Sequence, residues 1–142
     1  MLLGSPNYPC SSSGVPLGYA AIDQSFTVPQ VPDGQALHLD FDYVIYTWDG
    51  GSSDEYDRFE VFIDDSVINR LLYFDGRAED TLGCANWYRL PTSGWKSGSI
   101  DLLSPLDYRG KTVKVVFQNW NRYDHWYNTF TYLDNVELVI GN

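Results

Sequence analysis

Basic residues are scarce in this sequence: nine Lys and Arg stand against nineteen Asp and Glu, a formal net charge of -10. A field of that sign repels polyanions at long range, which sets aside nucleic acid and anionic membranes as partners. Long apolar runs are missing too, and none approaches the roughly 18 residues of a membrane span. Met1-Leu2-Leu3 gives way at once to Gly4-Ser5-Pro6, so no signal peptide is visible. Cysteine is limited to Cys10 and Cys84, without CxxC spacing or a nearby histidine, so neither a zinc site nor a redox motif is expected. Their pairing stays open; if they pair, the loop of more than 70 residues between them stabilises the fold by about 4 kcal/mol. Histidine is limited to His38 and His125, and no Ser or Cys sits in a nucleophile elbow. Phosphate loops, HExxH and Asn-linked glycosylation sequons are absent. The acids gather at turns and strand ends, not as a facing pair for glycoside hydrolysis. A non-catalytic protein is expected.

What the sequence does hold is apolar and aromatic material. Five Trp, eleven Tyr and seven Phe in 142 residues suffice for one core and leave rings over for display. Residues 1–17, rich in Ser, Pro and Gly, read as an irregular amino-terminal segment, and residues 18–142 as a single domain. Period-two patterns of β-branched and aromatic residues, bounded by Gly, Pro, Asp and Ser, predict strands over 18–28, 36–47, 58–64, 67–74, 98–103, 112–119 and 129–140. No stretch of ten residues has a helical period. The expected fold is all-β: a two-sheet antiparallel β-sandwich of the jelly-roll kind.

Phasing these strands singles out three carboxylates. Leu37, Leu39, Phe41, Tyr43 and Ile45 share the core-facing parity, which carries forward to Thr47 and Asp49. Phe59, Val61 and Ile63 set the next strand, and their parity run backwards points Asp57 inward. In the last strand Phe130, Tyr132, Val136, Leu138 and Ile140 are in phase, with Asp134 among them. A buried carboxylate needs a partner. A hard cation suits several converging acids, so the leading reading is a structural Ca²⁺ at Asp49, Asp57 and Asp134, helped by Asn128, Thr129 or Asp124. In the alternative, Asp134 bonds to backbone in a bulge and the other two cap strand ends. The acids at 49–57 do not follow the spacing of an EF-hand loop.

A second group is aromatic. Trp87, Trp95, Trp120, Trp126 and Tyr127 lie in or beside loops rich in Asn, Asp, Gly and Arg, with Arg122 close by. Rings next to amides, carboxylates and a guanidinium suit a sugar, whose apolar face stacks while its hydroxyls are hydrogen-bonded. Trp120 is expected to point outward, because Val113, Val115 and Phe117 claim the inward parity. The same rings could instead seal the core or dock a protein.

Four segments carry a family likeness: Thr47-Trp48-Asp49, Tyr56-Asp57-Arg58-Phe59-Glu60-Val61, Asp107-Tyr108-Arg109-Gly110-Lys111-Thr112-Val113 and Tyr132-Leu133-Asp134-Asn135-Val136-Glu137-Leu138. Together they resemble the bacterial extracellular jelly-roll modules appended to secreted peptidases and glycoside hydrolases, which are similar to carbohydrate-binding modules and the MAM domain. The likeness spans residues 18–140, except that 76–97 has no fixed counterpart. It implies export to the cell exterior or surface, a monomeric module within a larger protein, and a structural calcium to which Asp134 contributes. The function expected is an accessory module that binds carbohydrate; the alternative is a protein-interaction, adhesion or spacer domain.

Overall fold

The computed structural model describes residues 1–7, 17–48, 57–64, 66–71, 92–104, 106–122 and 128–141, with 66–71 described by their backbone. Eight strands form: β1 (Leu2–Leu3), β2 (Gly18–Thr27), β3 (Ala36–Thr47), β4 (Arg58–Ile63), β5 (Ser66–Leu71), β6 (Lys96–Asp101), β7 (Thr112–Asn121) and β8 (Thr129–Gly141). All seven strands expected from the period-two pattern are present. The addition is β1, within the segment expected to be irregular. Two residues are too few to show a period; they are strand because Leu2 and Leu3 pair with Tyr132 and Thr131 of β8.

The strands make two antiparallel sheets, ordered β1-β8-β3-β6 and β2-β7-β4-β5. The chain changes sheet at every connection except the β4–β5 hairpin. The sheets pack as a β-sandwich, and the core lies where the sequence parity puts it. Leu37, Leu39, Phe41 and Ile45 of β3 meet Phe59, Val61 and Ile63 of β4 and Val113, Val115 and Phe117 of β7. Each such side chain contributes about 1.5–3 kcal/mol when taken fully out of water. The rings of Phe41 and Phe117 meet edge to face at 5.1 Å, and Phe59 stacks on Phe117 at 6.2 Å. Across β3 from Phe41 stands Gly98 of β6, with the Phe41 ring laid over its Cα.

At one end of the sandwich the interior is polar. Asn119 of β7 faces inward and bridges the sheets: its Nδ2 donates to the Thr129 carbonyl at 2.8 Å, and Thr131 Oγ1 donates to its Oδ1 at 2.8 Å. The hydroxyls of Thr47 and Thr129 share a hydrogen bond of 2.6 Å beside it. Buried polar groups are tolerated there because their bonds are made.

At the other end, Arg109 ties two loops together. Its guanidinium donates to Asp107, to Asp33 and to the Val31 carbonyl, while Gly110, with φ near 70°, completes the turn and donates its N–H to Val28. Side-chain and backbone hydrogen bonds from Arg109 pull the Asp107 carboxyl down to about 2. A carboxyl depressed in the folded state contributes stability above its ordinary value of 3.8, and that contribution is lost as pH falls towards 2. Asp107→Asn is therefore expected to be slightly less stable than wild type at pH 7 and to converge on it as pH falls towards 2, which flattens the acid limb of a stability curve measured by urea melts.

One irregularity reorganises the last strand. Asp40 pairs with Glu137 and Asp42 with Asp134, so Asn135 and Val136 together stand opposite Phe41. This is a β-bulge, and Asn135 occupies the left-handed region at φ 48°. Side chains before it are one step out of phase with those after it. Val136, Leu138 and Ile140 are on the core-facing side, as expected. Leu133 is buried in the core, whereas Phe130 and Tyr132 cluster with Tyr46 on the outer face. The inward placement expected for Asp134 is thus corrected: it is exposed, on the outer face beside Asp42.

Candidate functional site

The outer face of β6-β3-β8 carries the polar residues that the core-facing parity excludes. In register across it stand His38 with Asp101 and Val139, Asp40 with Ser99 and Glu137, and Asp42 with Ser97 and Asp134. Ser99 Oγ donates to Asp40 Oδ1 at 2.5 Å, and Ser97 Oγ to Asp42 Oδ1 at 2.7 Å. The bulge turns Asn135 onto the same face, where its Nδ2 donates to Asp42 Oδ2 at 2.8 Å and its N–H to Asp134 Oδ1 at 2.9 Å. The hydrogen bonds of Asn135 and Ser97 hold the Asp42 carboxyl below its ordinary value, so it remains an anionic acceptor in mild acid.

Over this row lies a cleft of about 450 Å³, lined by Asp40, Asp42, Ser97, Ser99, Asn135 and Glu137 among others. A second hollow of about 290 Å³ continues from Asp42, Ser97 and Asn135 to Asp134, Lys96 and Trp95. Trp95 immediately precedes β6 and is 59% exposed. The arrangement offers hydroxyl, amide and carboxylate groups beside one displayed indole ring.

Of the residues expected to contact a ligand, the structure separates the described ones. Trp95 belongs to this face. Trp120 points outward, as its parity requires, but from the other sheet, and is half-buried between cations: the guanidinium carbons of Arg122 and Arg58 lie 4.8 and 5.2 Å from its ring centroid. Trp120 and Arg122 therefore do not join Trp95 in one site. Trp87, Trp126 and Tyr127 lie outside the described residues, as do Cys10 and Cys84.

The expected calcium ligands divide likewise. Asp57 is buried where β4 begins and accepts the Arg122 N–H through Oδ1 at 2.6 Å. Asn128 is close to that end, but its amide clamps loops, donating to the Ser5 carbonyl and accepting from Asn121 Nδ2. Asp134 lies five residues beyond Thr129, roughly 16 Å along the strand at the usual rise, and on the outer side of its sheet. It cannot share a cation with Asp57. Asp49 and Asp124 lie outside the described residues. Among the described residues no three His, Cys, Asp or Glu are grouped to hold a metal, and the Asp40, Asp42, Asp134 and Glu137 row is no exception.

Sequence reasoning missed that row, although His38, Asp40 and Asp42 alternate with the core-facing Leu37, Leu39 and Phe41. Its other half comes from β6 and from the bulge, and only the strand register brings those residues alongside. It also missed the buried pair on the outer face of the other sheet, where Arg58 Nε meets Glu60 Oε1 at 2.7 Å. No family model, curated protein or solved structure matches the chain.

Proposed function

We propose that the protein is a non-catalytic, carbohydrate-binding accessory module of a secreted or cell-surface protein, with jelly-roll topology. The strand order supports the topology: eight strands in two four-stranded sheets, with the first and last strands adjacent and the chain alternating between layers. The observation that carries the function is the exposed Trp95 ring at the rim of the Asp42, Ser97 and Asn135 cleft. The indole supplies a stacking surface for a pyranose ring. The carboxylates and amide supply acceptors and donors for its hydroxyls, and the negative face favours a neutral or cationic sugar over an anionic one.

Calorimetric titration of neutral oligosaccharides tests the reading. Trp95→Ala, at an exposed position, should leave the melting temperature unchanged and remove about 2 kcal/mol of binding, a loss of about thirtyfold. Ser97→Ala should weaken binding less. Absence of binding across a broad panel, or binding indifferent to both changes, would sink it. The calcium reading, reduced to Asp57 and the acids near it in sequence, is tested alongside by melting with and without chelator: stabilisation by calcium that Asp57→Asn abolishes supports it, and identical melts remove it.

A further inference from the structure

Among the described residues, the outer edge of β8 is only partly paired. Strand β8 is paired with β3 along its whole length, to Ala36 with Gly141, but on its other side β1 pairs only at Thr131 and Tyr132. Beyond Leu133, which exchanges hydrogen bonds with the Met1 backbone in both directions, no described strand continues along that side. The core-facing side chains of this stretch are left partly in water: Val136 is 45% exposed, Leu138 40% and Ile140 55%. Beneath them, between β8 and β2, an apolar groove of about 290 Å³ is lined by Ile22, Phe26, Leu39, Phe117, Val136 and Leu138. Three large apolar residues facing inward over a gap, next to a row of backbone groups without a neighbouring strand among the described residues, present an open sandwich edge.

We infer that this edge accepts an extended segment of a partner polypeptide, about seven residues long, running antiparallel to β8 and in line with β1. The established β1 to β8 register fixes direction and place, because an added strand that continues it lies along residues 135–141. Residues opposite Val136, Leu138 and Ile140 point into the groove, so the segment is apolar at every second position. Its intervening side chains come up on the outer face beside Asp134 and Glu137, within a protein of net charge -10, so they are basic. The inference stands on the open edge and groove and is independent of carbohydrate binding.

The probe is a blocked ten-residue peptide of alternating Val and Lys, titrated into the isotope-labelled protein and followed by backbone amide resonances and hydrogen exchange. Saturable shifts confined to 134–141 and neighbouring groove residues are expected, with exchange of those amides slowed about tenfold or more. Replacing both Val136 and Leu138 by Lys should weaken binding about tenfold or more, in a variant whose dispersed amide spectrum shows that it is folded. A peptide of the same composition with its Val and Lys in two blocks should bind at least about tenfold more weakly. Equal binding of the two peptides would reduce the effect to charge attraction and overturn the proposal. So would the absence of shifts along β8, or protection of these amides by protein concentration alone, which would assign the edge to a second copy.

Discussion

Replacing Arg58 with methionine is expected to lower the free energy of unfolding by about 3–5 kcal/mol, a large fraction of the roughly 5–15 kcal/mol typical of a domain. The reason is Glu60. Its side chain is 2% exposed and its Oε1 lies 2.7 Å from Arg58 Nε, with Gln118 Nε2 a more distant donor at 3.4 Å to the other oxygen. Methionine keeps much of the packing against Trp120 but takes away a positive charge that lies 2.7 Å from a buried carboxylate. The double change Arg58→Met and Glu60→Gln removes both charges and should recover much of the loss. Urea unfolding of wild type, both singles and the double gives the cycle. A single Arg58→Met variant as stable as wild type would mean that Glu60 is satisfied without the guanidinium.

The second large effect is expected at Gly98. A Cβ built there would fall within the Phe41 ring, against its Cζ and Cε2 atoms. Phe41 has nowhere to retreat, because Phe117, Phe59 and Tyr43 surround it with ring centroids at 5.1, 6.4 and 5.9 Å. Gly98→Ala should therefore destabilise by about 3 kcal/mol, the upper part of the usual cost of overpacking, and lower the melting temperature by about 10 °C. Pairing it with Phe41→Leu tests the cause. If the clash is with that ring, the two changes together cost clearly less than their sum; strict additivity would place the problem elsewhere.

The phase of a strand is legible in sequence only while nothing interrupts the ladder. In β3, β4 and β7 the period holds from end to end, and the inward sets read from sequence are the core. In β8 five apolar residues keep one parity from Phe130 to Ile140, yet the bulge at Asn135 and Val136 puts the first two on the outer face and the last three on the inner. The sign was present in two places. Leu133 is apolar and out of phase, and it is the residue that enters the core. The pair Asp134-Asn135 breaks a hydrophobic run with residue types that tolerate a left-handed backbone and bond to their own neighbours. Read as a bulge, that pair moves Asp134 to the surface and brings Asn135 to Asp42, which is half of the proposed binding row. Trp95 was legible as a candidate, but its companions were not, since β6 and β8 meet β3 through register and not through any local motif. The amino-terminal strand was invisible for a different reason: Leu2 and Leu3 are strand only because β8 offers an edge.

The buried triad of Asn119, Thr129 and Thr131 has a consequence for how the chain finds its register. An apolar interface between sheets is forgiving, since Val, Ile and Phe lose little when one layer slides a notch against the other. Here a slide of one residue would strip the Asn119 amide of the Thr129 carbonyl and the Thr131 hydroxyl together, in a place water does not reach. Misaligned pairings are thus penalised far more than the aligned one is rewarded. The amide works as a key cut for a single seating of the two layers, and it fixes where the first residues of β8 come to rest before the bulge sets the direction of everything beyond.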